Sequence, residues 1–222
     1  MPDPRPDDEP WPELNWPVVT GTELTGEAVH LSALDPSVDA AELYRVLDHD
    51  VCWAHIPVRP TGPDGLARQL EAWCATPGWH PWAVRLRRDV GRQTAGSLVG
   101  LTSYIDASVA HASLEIGATI FTPEVWAGVV NPDSKLLLLA HAFDELRAGR
   151  VQLKTDARNI RSQQAIARLG ARHEGTLRRH YRRADGTVRD SVLFSITADD
   201  WPEVRERLVS RLLHLSRVTP DR

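Results

Sequence analysis

Residues 126–171 read WAGVVNPDSKLLLLAHAFDELRAGRVQLKTDARNIRSQQAIARLGA, and this stretch decides the fold. It divides into a loop, a helix, a short strand and a second helix. Asn131-Pro132-Asp133 supplies the parts of a helix start: a capping side chain, a proline where no N–H is needed, and an acid in the first turn. From Ser134 to Leu146 the apolar residues are dense enough for a helix buried on most sides. Val151, Leu153 and Thr155 then alternate with Gln152 and Lys154, the period of a strand. Asn159 opens a second helix, with Ile160, Ala165, Ile166 and Leu169 near one face and Gly170 placed to end it. A loop that delivers backbone N–H groups to a helix N-terminus suits a phosphate-bearing ligand.

Upstream, Ala112 to Phe121 reads as a strand with Leu114, Ile116, Ala118 and Ile120 on one face. Ser113, Glu115, Gly117 and Thr119 take the other. A glycine inside a strand marks a bulge or a close approach by a ligand. Ser97 to Ile105 suits a central strand, and Trp82 to Arg87 a half-buried one. Val29-His30-Leu31 begins the first strand. Asp35-Pro36 starts a helix to about Leu47 with Ala40, Leu43, Val46 and Leu47 inward, and Leu66 to Cys74 forms another. Trp53, Trp73 and Trp82 read as packing residues, while Trp79, in a Pro-Gly-Trp-His-Pro turn, is the candidate to line a pocket. Downstream, Asp185-Gly186 signals a hairpin between Arg172–Arg183 and Thr187–Thr197. A last helix from Asp199-Asp200-Trp201-Pro202 carries the stripe Val204, Leu208, Leu212, Leu215.

The chain of 222 residues can bury one full core, and residues 16–222 are expected to form one domain. Met1 to Asn15 holds five prolines and five acids and reads as a disordered or loosely docked arm. No apolar run approaches the roughly 20 residues of a membrane span, so no membrane partner is expected. Cys52 and Cys74 suit reduced thiols in a cytoplasmic protein, and no metal site is expected. The net charge of −4 conceals a local excess: residues 150–190 hold eleven Lys or Arg against four acids. A polyphosphate cofactor needs such a field beside helix starts; a nucleic-acid surface is the less favoured reading.

These segments resemble the GCN5-related N-acetyltransferases (GNAT), most closely the branch resembling the ribosomal-protein N-terminal acetyltransferases. The matching residues are Glu115-Ile116-Gly117, Trp126, Asn131, Lys135 to Leu139, Leu153 to Asn159, Ser162, and Ala165 to Ala171. A looser likeness runs from about Glu27 to Trp201. The resemblance implies an α/β (α+β) fold with a central mixed, mostly antiparallel sheet of six or seven strands flanked by helices. The strands at Ala112–Phe121 and Val151–Asp156 would splay apart to hold acetyl-CoA. Ile120 and Phe121 would pair with pantetheine as an added strand does. Gly128, Val129, Asn131, Ser134 and Lys135 would meet the pyrophosphate, and Asn159 and Ser162 the pantetheine near the thioester. The two early helices would form one wall of the acceptor site. Where many relatives carry Gln/Arg-x-x-Gly-x-Gly/Ala, this chain has Trp126, Val129 and Asn131. Ile166 replaces the tyrosine that serves many relatives as general acid, leaving Ser162 and Tyr181 as other hydroxyls.

Acetyl transfer from a thioester to an amine needs a held cofactor, a neutral amine and stabilisation of an oxyanion. An alkylamine with a pKa of about 10 needs a base, and an α-amine with a pKa of about 8 needs less of one. Glu115 is the expected catalytic base; the competing reading is a carboxylate paired with an arginine. The expected activity is acetyl-CoA-dependent N-acetylation of a primary amine, in particular a protein or peptide N-terminus, by a monomer or homodimer. A small-molecule or antibiotic amine, or a silent acyl-CoA-binding regulatory domain, are the alternatives.

Overall fold

The computed structural model describes residues 12–56, 58–183 and 185–218. One sheet of eight strands runs in the order β1-β2-β3-β4-β5-β6-β8-β7. The strands are β1 (Glu23–Thr25), β2 (Val29–Ala33), β3 (His80–Leu86), β4 (Leu98–Ser108), β5 (Ser113–Phe121), β6 (Arg150–Asp156), β7 (Arg172–Arg182) and β8 (Val188–Thr197). All neighbours are antiparallel except β5 and β6. The count exceeds the expectation because short β1 pairs with β2 and extends that edge.

Helices cover both faces. Helices α1 (Pro36–Val46), α2 (Asp50–Trp53) and α3 (Gly62–Ala75) pack Leu43, Trp53, Leu66 and Leu70 against Ala83, Leu98, Leu101 and Ile120. Helices α4 (Val130–Ala140) and α6 (Trp201–Val218) pack Leu138, Leu139, Val204 and Leu208 against Trp82, Tyr104, Leu114, Val151 and Phe194. Helix α5 (Ile160–Ala167) buries Ile166, whereas Ile160, expected inward, is exposed. Asp35 caps α1 by accepting from the Ser37 N–H, as its sequence foretold. α4 begins one residue before Asn131: Val129 holds the N-cap position and no side chain caps it. The first-turn acid Asp133 accepts instead from the Ala28 and Val29 N–H groups, at 2.7 and 3.0 Å, tying α4 to β2. α4 then widens into a π-turn over His141–Glu145.

Residues 1–11 of the expected arm lie outside the described residues. Its last residues are docked: Leu14 is buried, and Asn15 donates its N–H to the Leu146 carbonyl at 2.8 Å.

Strand β5 departs from simple alternation. Ala118 has φ 45°, and the register against β4 shifts between Leu101 and Ser103, which face Ile120 and Gly117. One residue is thus extra, a β-bulge, and the faces exchange beyond it. Leu114 and Ile116 join the core under α4, but Ile120 joins the core under α1 and α3. Thr119, expected beside Glu115, turns to the α4 face. At the same level β4 must be glycine: a Cβ on Gly100 (φ 154°) would stand 2.1 Å from the Ile120 carbonyl oxygen.

Candidate active site

The two parallel strands pair only over Ser113–Glu115 against Arg150–Gln152. Beyond that register β5 follows β4 and β6 follows β8, so the sheet opens in a wedge. The β5 edge from Gly117 to Phe121 faces this wedge without a strand partner among the described residues. At its far end the Phe121 carbonyl accepts from Trp126 Nε1 at 2.9 Å. The Arg161 guanidinium of α5 lies 3.4 Å from the centre of the Trp126 indole, a close cation–π stack that joins the two lips of the wedge.

At the apex sits Glu115, 3% exposed. Its carboxylate accepts from Gln152 Nε2 at 2.9 Å and pairs with Lys154 Nζ at 2.8 Å. Burial raises the carboxyl above its ordinary value, with Lys154 and Gln152 pulling the other way. Burial alone would lower Lys154, but the Glu115 charge holds it above the ordinary lysine value, so the ammonium stays charged. The partner is therefore lysine, not the arginine weighed as the competing reading. Both β6 partners were legible as the mixed face Gln152/Lys154; that they meet Glu115 follows from the parallel register, which sequence does not display. Gly117 makes room here, since a Cβ would stand 2.9 Å from Glu115 Oε1.

Lys154 lies 5.5 Å from the centre of the Tyr181 ring, which leads into an open cleft of about 310 Å³ between the end of α2 and the β7–β8 hairpin. Trp53 and His55 line it on one side and Tyr181, Arg182 and Arg189 on the other. A second cleft, lined by Arg158, Asn159 and Arg161, shares Ala54 and His55 with the first. His55 thus stands between them, with its pKa lowered by burial against the pull of Asp156. Trp79, the expected pocket residue, instead packs on Trp73 at 5.6 Å, while Trp53 takes the lining role. Asp156, 1% exposed, ends β6; it accepts from the Arg158 N–H at 2.9 Å and from Arg183 at 2.8 to 2.9 Å. Sequence reasoning passed over His55 and the Asp156–Arg183 pair.

The remaining expected cofactor residues gather around two helix starts. Asn159 Oδ1 accepts from the Ser162 N–H at 3.0 Å, capping α5. Gly128, Val129 and Asn131 form the entry to α4; the Val130 and Asn131 N–H groups have no acceptor within the helix, Pro132 has no N–H, and Asp133 already donates its own to the Val129 carbonyl at 3.0 Å. Val129 lies at φ −77°, so the missing glycine costs nothing there; the left-handed residue of this loop is Ala127, φ 60°. Ser134 and Lys135 turn inward. Ser134 Oγ donates to the Val130 carbonyl, and Lys135 Nζ donates to Thr102 and Thr119 Oγ1 at 2.9 and 2.7 Å. The backbone groups of this turn and the half-exposed Asn131 side chain are left to meet a phosphate.

Lys135 is 4% exposed, and burial pushes its pKa down to about 7. A folded value below the unfolded one of about 10.4 makes the native state lose stability as pH falls through that interval. Lys135→Met, whose loss leaves Thr102 and Thr119 bonded to each other at 2.8 Å, is expected to stabilise the protein by about 1–3 kcal/mol at pH 6. The gain should vanish by pH 10, and chemical denaturation at both pH values checks it.

Comparison with known proteins supplies the family. Residues 29–172 match the family described as the acetyltransferase (GNAT) domain. An acetyltransferase-like protein of T. thermophilus is 35% identical, with 89% of this chain covering 99% of that one at a TM-score of 0.77. A GCN5-related N-acetyltransferase from Brucella melitensis shares the fold at 21% identity, covering 89% and 90% of the two chains at a TM-score of 0.80. So does Mycobacterium smegmatis RimJ, in complex with CoA-disulfide, at 22% identity, 86% and 94% coverage and a TM-score of 0.69. No curated protein matches the sequence. With the splayed strands, the open helix start and a family match over most of its length, the chain belongs to the GNAT acetyltransferases.

Proposed function

We propose that this protein transfers the acetyl group of acetyl-CoA to a primary amine, with a protein or peptide α-amine as the first acceptor class. The observation that carries the reading is the wedge between β5 and β6 with a buried carboxylate at its apex. The residues present fit the cofactor: an unpaired strand edge suits pantetheine amides, and the bare start of α4 suits a pyrophosphate. Acetyl-CoA supplies the activated thioester. The open edge of β5 at Gly117–Ile120 would orient it, the first turn of α4 would hold its phosphates, and Asn159 would keep α5 in place beside it. The Phe121 carbonyl is taken by Trp126, so pairing there needs that indole to move.

The amine would arrive through the cleft beside Tyr181. Glu115 would accept its proton at Oε1, directly or through a water, because Lys154 and Gln152 both sit on Oε2. A positioned base of this kind yields about 10²–10⁴-fold. Acetyl-CoA should raise the melting temperature by mass action and, with a panel of peptides and small amines, release free thiol. Binding without thiol release from any amine would replace this reading by that of an acyl-CoA-binding domain.

A further inference from the structure

The cleft beside Tyr181 carries more positive charge than an amine needs. Its acids are spent locally: Asp50 pairs with Arg59, and Asp185 accepts from the N–H and hydroxyl of Thr187 in the hairpin turn. Asp156 is taken by Arg183. Two arginines of the lining, Arg182 and Arg189, make no ion pair within 4.0 Å among the described residues. Arg182 is exposed. Arg189 is half-buried; its Nε donates to Ser191 Oγ at 3.1 Å, and its guanidinium lies 5.4 Å from the Tyr181 ring centre. Lys154 approaches the same ring at 5.5 Å and leads back to Glu115. One aromatic ring therefore separates a carboxylate with its lysine from an arginine that feels Asp156 and Glu115 only at a distance and has no carboxylate within 4.0 Å among the described residues.

Half-burying a guanidinium costs hydration, which a carboxylate in the cleft would restore through two N–H donors in a fork. A repulsive field also works against a bare cationic amine, because Arg182 and Arg189 raise its cost of entry. An amine with its own carboxylate a few bonds away meets both conditions: its nitrogen reaches toward Glu115 while its anion meets Arg189.

We propose, resting on the acetyl-transfer reading, that the acceptor is an amine bearing a carboxylate, held by Arg189 with Arg182 at the mouth. The carboxylate could belong to a free amino acid or to an acidic residue near a peptide N-terminus.

Matched pairs test this. Amino acids are compared with their amides, and N-terminal peptides with Asp or Asn at the second position, at fixed salt. In each case both acetylation and equilibrium binding in the presence of coenzyme A are followed. The acidic member of at least one pair is expected to be favoured by about 10–100-fold, chiefly in KM, and the pair that shows it identifies the source. Arg189→Gln should remove most of that preference and Arg182→Gln part of it, whereas Arg207→Gln on the far side of α6 should keep it. Melting curves and coenzyme A affinity verify that each variant is folded, and exposed Arg182 provides the test if Arg189→Gln is not. Neutral members acetylated as well as acidic ones would overturn the proposal and leave acetyl transfer standing. No acetylation, but tighter binding of the acidic member lost in Arg189→Gln, would keep the carboxylate site and remove the transferase. Equal binding of both members overturns it in every case.

Discussion

Glu115→Gln is expected to lower turnover by about 10²–10⁴-fold while leaving coenzyme A affinity within a few-fold of wild type. The side chain sits at the apex of the wedge, with Lys154 at 2.8 Å and Gln152 at 2.9 Å, so the amide keeps the shape and loses the base. Lys154, 9% exposed at its side chain, is then left without its charge partner, and some stability should go with it. The two effects separate in the measurement. A missing base shows in turnover per folded molecule, and that deficit shrinks at high pH and for α-amines, where less deprotonation is needed. A missing ion pair shows in the melting temperature alone. Equal turnover for wild type and variant, on an amine the wild type acetylates, would take Glu115 out of the mechanism.

The second large effect concerns stability. Asp156→Ala is expected to cost about 3–5 kcal/mol, the usual result of removing one partner from a buried ion pair. The substitution strips both charge-bearing acceptors from Arg183, leaves the Arg158 N–H unpaired, and loosens the β7–β8 hairpin from the end of β6. Burial would raise the Asp156 carboxyl, but the Arg158 N–H and the Arg183 guanidinium hold it below its ordinary value. A folded value below the unfolded one gives stability that is present above about pH 4 and is lost as pH falls through the folded value. The gap between wild type and Asp156→Ala should therefore stay level from pH 5 to 8 and narrow in acid. At neutral pH it should appear as a fall in melting temperature of roughly 10 °C.

Much of the fold was legible because its signals are local. The cap at Asn159, the Asp185-Gly186 hairpin and the splayed pair each follow from residues that are neighbours in sequence or carry a family pattern. What sequence did not display depends on elements meeting. Lys135 stands at a helix start, where a lysine suggests a phosphate; only the packing of α4 on the sheet turns it toward Thr102 and Thr119. For Glu115, expected as the base, the competing reading was an arginine partner in a chain rich in them; the short parallel register brings Lys154 there instead. Trp53 rather than Trp79 lines the cleft because α2, a single turn that sequence periodicity does not reveal, brings it there.

The bulge at Ala118 gives this strand a spare residue as well as a shape. Its two halves are written in opposite phases, and the extra residue is what lets each half keep its own side. Loss of Ala118 would close the bulge: Gly117 would stay opposite Ser103, Thr119 would come opposite Thr102, and Ile120 would stay opposite Leu101. Both faces would keep their sides, and only the local bend would go. A chimera of two relatives could therefore differ by this one residue and still bury the same side chains, so the strand tolerates a change of spacing here that it would not tolerate in its regular halves.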